Sequence, residues 1–101
     1  GERMKVYIAG PMSGIEGFNY PAFDTAEDEL RAIGHEPINP ARRGIEPTWT
    51  WADYMRHAIR DVTNADAIHL PDGWESCKGA RLEATIADAL GLIRIGHESI
   101  A

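Results

Sequence analysis

Cys77 is the only cysteine in 101 residues, so no disulfide can form within the chain and no thiolate cluster can hold zinc. This scarcity fits a reducing compartment, and a cytoplasmic location is expected. No apolar run approaches the ~20 residues that a membrane-spanning helix requires, and no membrane partner is expected. Val6-Tyr7-Ile8-Ala9 is too short to serve as the apolar core of a secretory signal. Cations are also few. The 10 Lys and Arg face 16 Asp and Glu, a net charge of -6, which argues against a polynucleotide footprint built on phosphate neutralisation. A single nucleotide needs only a few local donors and remains open. His35, His57, His69 and His97 are scattered without ligand spacing, so neither a metal nor a cofactor is expected. Repeats, linkers and low-complexity tracts are absent.

What is present is an ordinary globular balance, 44% hydrophobic and 26% charged, at a length suited to one domain. That domain is expected over residues 4–101, with Gly1-Glu2-Arg3 a cloning remnant ahead of Met4. Met4 to Ala9 reads as a short buried strand closed by Gly10-Pro11. Asn19 can cap a helix that begins near Pro21, carries Phe23, Ala26, Leu30 and Ile33 along one side, and stops at Gly34. Glu36 to Asn39 reads as an edge strand, because Pro37 cannot donate to a ladder. A loop over residues 40–48 leads to a second helix from Thr48 or Thr50 to about Asn64, with Trp51, Tyr54, Met55, Ala58, Ile59 and Val62 at helical spacing. Ala67 to Leu70 is a strand, Pro71-Asp72-Gly73 a turn, Cys77 to Leu90 a third helix, and Leu92 to Ile95 a last strand. Alternating strands and helices predict a largely parallel four-stranded sheet with right-handed crossovers. Ligands of such sheets sit beyond the carboxyl ends of the strands, where the segments Gly10 to Asn19 and Pro71 to Gly79 fall.

Glu83 is the most informative residue. Helical spacing groups it with Gly79, Ala80, Ile86, Ala87 and Leu90, while Lys78, Arg81, Thr85 and Asp88 lie opposite. A carboxylate inside an apolar stripe is costly unless paired, hydrogen-bonded or functional. A stripe-edge glutamate that reaches solvent or an arginine is an equally open reading. Ser76, at the start of the third helix, is either an N-cap or, with Lys78, part of an anion site on the free N–H groups. Gly10-Pro11-Met12-Ser13-Gly14 matches neither dinucleotide nor P-loop fingerprints. Tyr7 adjoins that loop and presents either a hydroxyl to it or an aromatic ring to the core. Trp49, Trp51 and Trp74 are candidates for stacking on a base or for helix packing. Cys77 lacks a histidine partner and reads as a bystander. Arg42 and Arg43 read as a solvated loop pair.

Taken together, Val6-Tyr7-Ile8-Ala9-Gly10-Pro11-Met12-Ser13-Gly14, Ala65-Asp66-Ala67-Ile68, Gly73-Trp74-Glu75-Ser76 and Gly79-Ala80-Arg81-Leu82-Glu83 resemble a phage and bacterial family. It is the domain-of-unknown-function family 4406, related to nucleoside 2-deoxyribosyltransferases and 2'-deoxynucleoside 5'-phosphate N-hydrolases. The likeness runs from Met4 to Ile95. It implies a small flavodoxin-like, Rossmann-like three-layer α/β sandwich that cleaves an N-glycosidic bond, as a hydrolase rather than a transferase. It also implies a small-molecule nucleotide or nucleoside partner and a homodimer or higher homo-oligomer. The relatives' nucleophilic glutamate maps onto Glu83 and their active-site tyrosine onto Tyr7. Their sugar-lining loop maps onto Gly10, Pro11, Met12, Ser13 and Gly14, with Asn19 beyond it. Their phosphate loop maps near Ser76, beside Trp74 and Gly79. Ala58 stands where the relatives carry a helix-two aspartate, and Asp61, a turn away, is the substitute candidate for protonating the base. A non-catalytic nucleotide sensor or sponge on the same scaffold is the alternative, and a protein-interaction module built on the tryptophans is a second.

Overall fold

Alternation along the first strand divides the molecule into two cores. In the computed structural model, which describes residues 3–10, 20–43 and 46–96, strand β1 spans Lys5–Ile8. Val6 and Ile8 face one side of the sheet, where they pack with Phe23, Ala26 and Leu30 of helix α1 (Tyr20–Ala32). Tyr7 faces the other side and joins Ala58 and Val62 of α2 (Trp51–Thr63) and Ala80, Ala84 and Ala87 of α3 (Lys78–Ala89). The remaining strands are β2 (Glu36–Ile38), β3 (Ala67–Leu70) and β4 (Ile93–Gly96). They form one all-parallel sheet in the order β2-β1-β3-β4. This is the expected three-layer, Rossmann-like α/β sandwich. The chain moves outward from β1 to β2, then back across to β3 and β4. Right-handed crossovers therefore put α1 on one face and α2 and α3 on the other.

The central strands β1 and β3 are buried throughout except at Lys5. Val6, Leu30, Val62 and Ile68 are fully enclosed, and each such side chain contributes roughly 1.5–3 kcal/mol relative to exposure. Pro37 sits on β2, an outer strand of the sheet, as its missing N–H requires. Helix α2 begins with a complete capping box. Thr50 accepts from the Asp53 backbone N–H at 3.2 Å, and the Asp53 carboxylate accepts from the Thr50 N–H at 2.9 Å.

Several boundaries and faces differ from expectation. Pro40–Arg43 wind into a 3-10 turn within the expected loop, and Trp74–Ser76 form another ahead of α3. Ile33 lies past the end of α1 and is 51% exposed, so the apolar stripe of that helix stops at Leu30. On α3 the buried face is Ala80, Glu83, Ala84 and Ala87, rotated so that Ile86 is half-buried, while Leu90 caps the end of the helix and is 53% exposed. Alanines let this helix lie close on the sheet, and closeness rather than side-chain size selects the inward face. Arg42 is exposed, as expected, but it is also paired. Its Nε and Nη2 both donate to Glu27, a buried carboxylate on α1.

Substituting Thr50→Ala removes a bond at the start of α2 without touching either core. An expected loss of about 1 kcal/mol should appear in urea denaturation as a lower midpoint with an unchanged slope.

Candidate active site

Alternation on β1 and helical spacing on α3 converge on one buried contact. The Tyr7 hydroxyl donates to Glu83 Oε2 at 2.6 Å, across 76 residues of sequence. The phenol is 1% and the carboxyl residue 5% exposed. Ala9, Ala58, Ala80 and Ala84 belong to the same core cluster, so the carboxyl lies in an apolar layer. Burial penalises the charged form and is the main reason the Glu83 pKa rises from 4.5 to about 7. The Tyr7 hydrogen bond favours the carboxylate and opposes that rise, while the charge of Asp61 adds to it. Asp61 is half-buried on α2, three residues after Ala58, and is the second carboxyl whose field reaches Glu83.

The two carboxyl-edge segments meet at Gly10 and Pro71. Gly10 adopts φ +150°, and a Cβ there would come within 3.1 Å of Pro71 Cγ, so only glycine lets the end of β1 pass the end of β3. Ala9 N–H donates to the His69 carbonyl at 3.0 Å and fastens the same two ends. Pro11, Met12, Ser13, Gly14 and Asn19 lie outside the described residues.

The other expected site residues take more definite structural roles. Ser76 is exposed and donates through Oγ to the Gly73 carbonyl at 2.8 Å. It does not cap α3, whose N-cap is Cys77 with no side-chain hydrogen bond, because the intervening 3-10 turn points the hydroxyl backwards. Trp74 packs on the inner cluster, and the Arg94 guanidinium lies 5.3 Å from its ring centre. Gly79 faces α2. A Cβ at this position would approach Met55 Sδ to 3.2 Å, so the glycine lets the two helices touch. Lys78 lies over the Trp51 ring at 4.3 Å. Trp49 stacks on His57, with centroids 4.3 Å apart and planes 14° from parallel. Spacing gave no sign of that stack, because a loop residue has no helical phase to read. Among the described residues no three His, Cys, Asp or Glu side chains gather as a metal set, and no helix is long and apolar enough to cross a membrane.

The family described as Domain of unknown function (DUF4406) matches residues 4–95. No curated protein matches the chain. Among the solved structures that share its fold are two 2-deoxyribosyltransferases. One is a 2-deoxyribosyltransferase from the psychrotolerant bacterium Bacillus psychrosaccharolyticus, with TM-score 0.69 and 19% identity over 91% of this chain and 70% of that one. The other is a 2-deoxyribosyltransferase from Leishmania mexicana, with TM-score 0.71 and 19% identity over 91% of this chain and 62% of that one. The chain therefore spans less than two thirds of the Leishmania protein. At such identity the likeness is one of fold.

The raised Glu83 pKa has a thermodynamic consequence. The folded state holds the proton more tightly than the unfolded chain, so stability is fully present below pH 4.5 and falls as pH rises towards about 7. The size of this contribution is about 3 kcal/mol, from roughly 1.4 kcal/mol per pH unit. Glu83→Gln should flatten that part of the profile and leave the protein more stable than wild type at pH 8. Chemical denaturation of both proteins across pH 5 to 8 checks this, and parallel profiles would refute it.

Proposed function

The chain belongs to the DUF4406 family, and from that premise we propose that it cleaves the N-glycosidic bond of a nucleoside or nucleotide, with Glu83 as nucleophile. The observation that carries the reading is the buried Tyr7–Glu83 hydrogen bond at 2.6 Å. A phenol that holds one carboxylate oxygen leaves the other for C1' of the sugar. Glu83 forms the new bond to C1', and the electron pair of the C1'–N bond leaves with the base through an oxocarbenium-like transition state. Water then attacks C1', releases the sugar and restores the carboxylate. Two inversions give net retention at C1'. Asp61, whose charge reaches Glu83, is assigned to the leaving base, and the segments beyond β1 and β3 to the sugar and any 5'-phosphate. The 2-deoxyribosyltransferases of the same fold support N-glycosidic chemistry of this kind.

The near-complete enclosure of Tyr7 and Glu83, at 1% and 5% exposure, favours a second reading. In it the scaffold binds a nucleotide as a sensor or sponge and breaks no bond. Incubation with a panel of nucleosides and nucleotides, followed by mass spectrometry for free base, separates the two. Ligand-induced stabilisation without base release would support the binder.

If the enzyme reading holds, Glu83 must be ionised to attack, so turnover should rise with pH through about 7 and level off above it. Glu83→Gln should lower kcat by orders of magnitude while nucleotide-induced stabilisation persists. Tyr7→Phe removes the hydrogen bond that favours the carboxylate and should move the acidic limb of the kcat profile upward. An unmoved limb would remove Tyr7 from control of the nucleophile.

A further inference from the structure

One row of the sheet holds α3 from both flanks. Tyr7 on β1, Ile68 on β3 and Arg94 on β4 are neighbours in register, so their side chains leave the same face of the sheet. Ile68 belongs to one cluster with the buried alanines of α3. Tyr7 donates to Glu83, and Arg94 donates through Nε and Nη2 to the two carboxylate oxygens of Asp88 at 2.9 and 2.7 Å. Glu83 and Asp88 are five residues apart, which sets them about 140° apart around the helix. They therefore flank the stripe of Ala80, Ala84 and Ala87 that rests on the sheet. Two strand spacings, about 10 Å, separate Tyr7 from Arg94, which matches the diameter of a helix with its side chains.

Arg94 also meets the segment in front of α3. Its guanidinium carbon lies 5.3 Å from the centre of the Trp74 ring. The Trp74 carbonyl accepts from the N–H of Cys77, the N-cap of α3, at 3.0 Å. One side chain thus touches both the turn that leads into the helix and the last turn of the helix itself. The ion pair is exposed on both sides and of small energetic worth on its own. Its two-pronged form gives direction rather than strength. Direction matters here, because the methyl groups on the inner face of α3 make few contacts that a small rotation would break.

We propose that Arg94 is a positioning residue: by gripping Asp88 on the flank facing β4, it fixes the roll of α3 about its own axis and so seats Glu83 against Tyr7 on the flank facing β1. Trp74, itself packed on the inner cluster, limits where the guanidinium can go. The consequence for turnover rests on the reading of Glu83 as nucleophile, whereas the roll itself does not.

A carbon-13 NMR titration of the Glu83 carboxyl group tests the seat without calling on activity. The wild-type midpoint is expected at about 7, chiefly through burial, with Tyr7 on β1 and Asp61 on α2 the other groups that act on it. Arg94→Gln frees the roll, lets water reach Glu83 and should lower that midpoint by about half a pH unit or more. Loss of the Arg94 charge by itself would act the other way and raise it, so the sign separates position from field. A midpoint that stays or rises overturns the proposal. Arg94→Lys keeps the charge and loses the fork, and it decides if Arg94→Gln fails to fold, with a fall again expected and an unmoved midpoint contrary. In a wild type that releases base, Arg94→Gln should also lower kcat about tenfold with KM within about twofold. A loss confined to KM would assign Arg94 to the loop before α3 and overturn its role at Glu83. A wild type that releases no base counts against the proposed chemistry, and the titration still decides the role of Arg94.

Discussion

The hydrogen bond from Tyr7 to Glu83 ties the middle of the sheet to the second turn of the helix that covers it. A carboxyl group in an alanine-lined layer is withdrawn from bulk solvent, and the phenol gives only part of what full hydration would. The result is a group balanced between its two protonation states near neutrality. Burial drives the proton on, Tyr7 favours its loss, and Asp61 resists the resulting charge. Each of these effects depends on a different element, β1, α2 or α3, so the carboxyl can be tuned only when the fold is complete.

The small residues around that pair are what allow the elements to come so close. Ala58, Ala80, Ala84 and Ala87 are all buried, and Gly79 leaves room for the thioether of Met55. Larger side chains on the inner face of α3 would lift the helix and draw the Glu83 carboxyl away from the phenol. Gly10 has the corresponding role at the carboxyl edge, where Pro71 leaves no space for a side chain. A close-packed interior tolerates little change of volume at such points. The glycines and alanines here are therefore as much a part of the candidate site as the two polar residues.

The opposite face of the sheet solves a different problem. Glu27 on α1 is buried and charged, and Arg42 in the 3-10 turn after β2 satisfies it with a two-pronged contact. Asn39 reinforces the junction by donating to Asp24 and accepting from the Ala41 N–H. This network lowers the Glu27 pKa, chiefly through the Arg42 hydrogen bonds, so Glu27 stays ionised where Glu83 does not. Two buried glutamates thus differ in charge because one meets a cation and the other a phenol.

Element order, strand parallelism and the α1 core followed from the sequence, because apolar spacing and turn residues act over short distances. Met4 to Ala9, Pro37 on an edge strand, and a threonine ahead of α2, either Thr48 or Thr50, were each readable from their neighbours. Glu83 stood out by the same means, as a charge on an apolar face. Tertiary structure alone decided what that charge meets. The phenol is 76 residues away, and no periodicity in either element encodes the contact. The rotation of α3 that buries Ala84 and leaves Ile86 half-buried was also beyond reach, because helical spacing defines a broad face and only packing against the sheet chooses its centre. Ser76 shows the same limit at short range. Its identity suits a cap, but a 3-10 turn before the helix points the hydroxyl at Gly73. Local chemistry specified which elements form, and the distances that give Glu83 its unusual protonation exist only once those elements are packed.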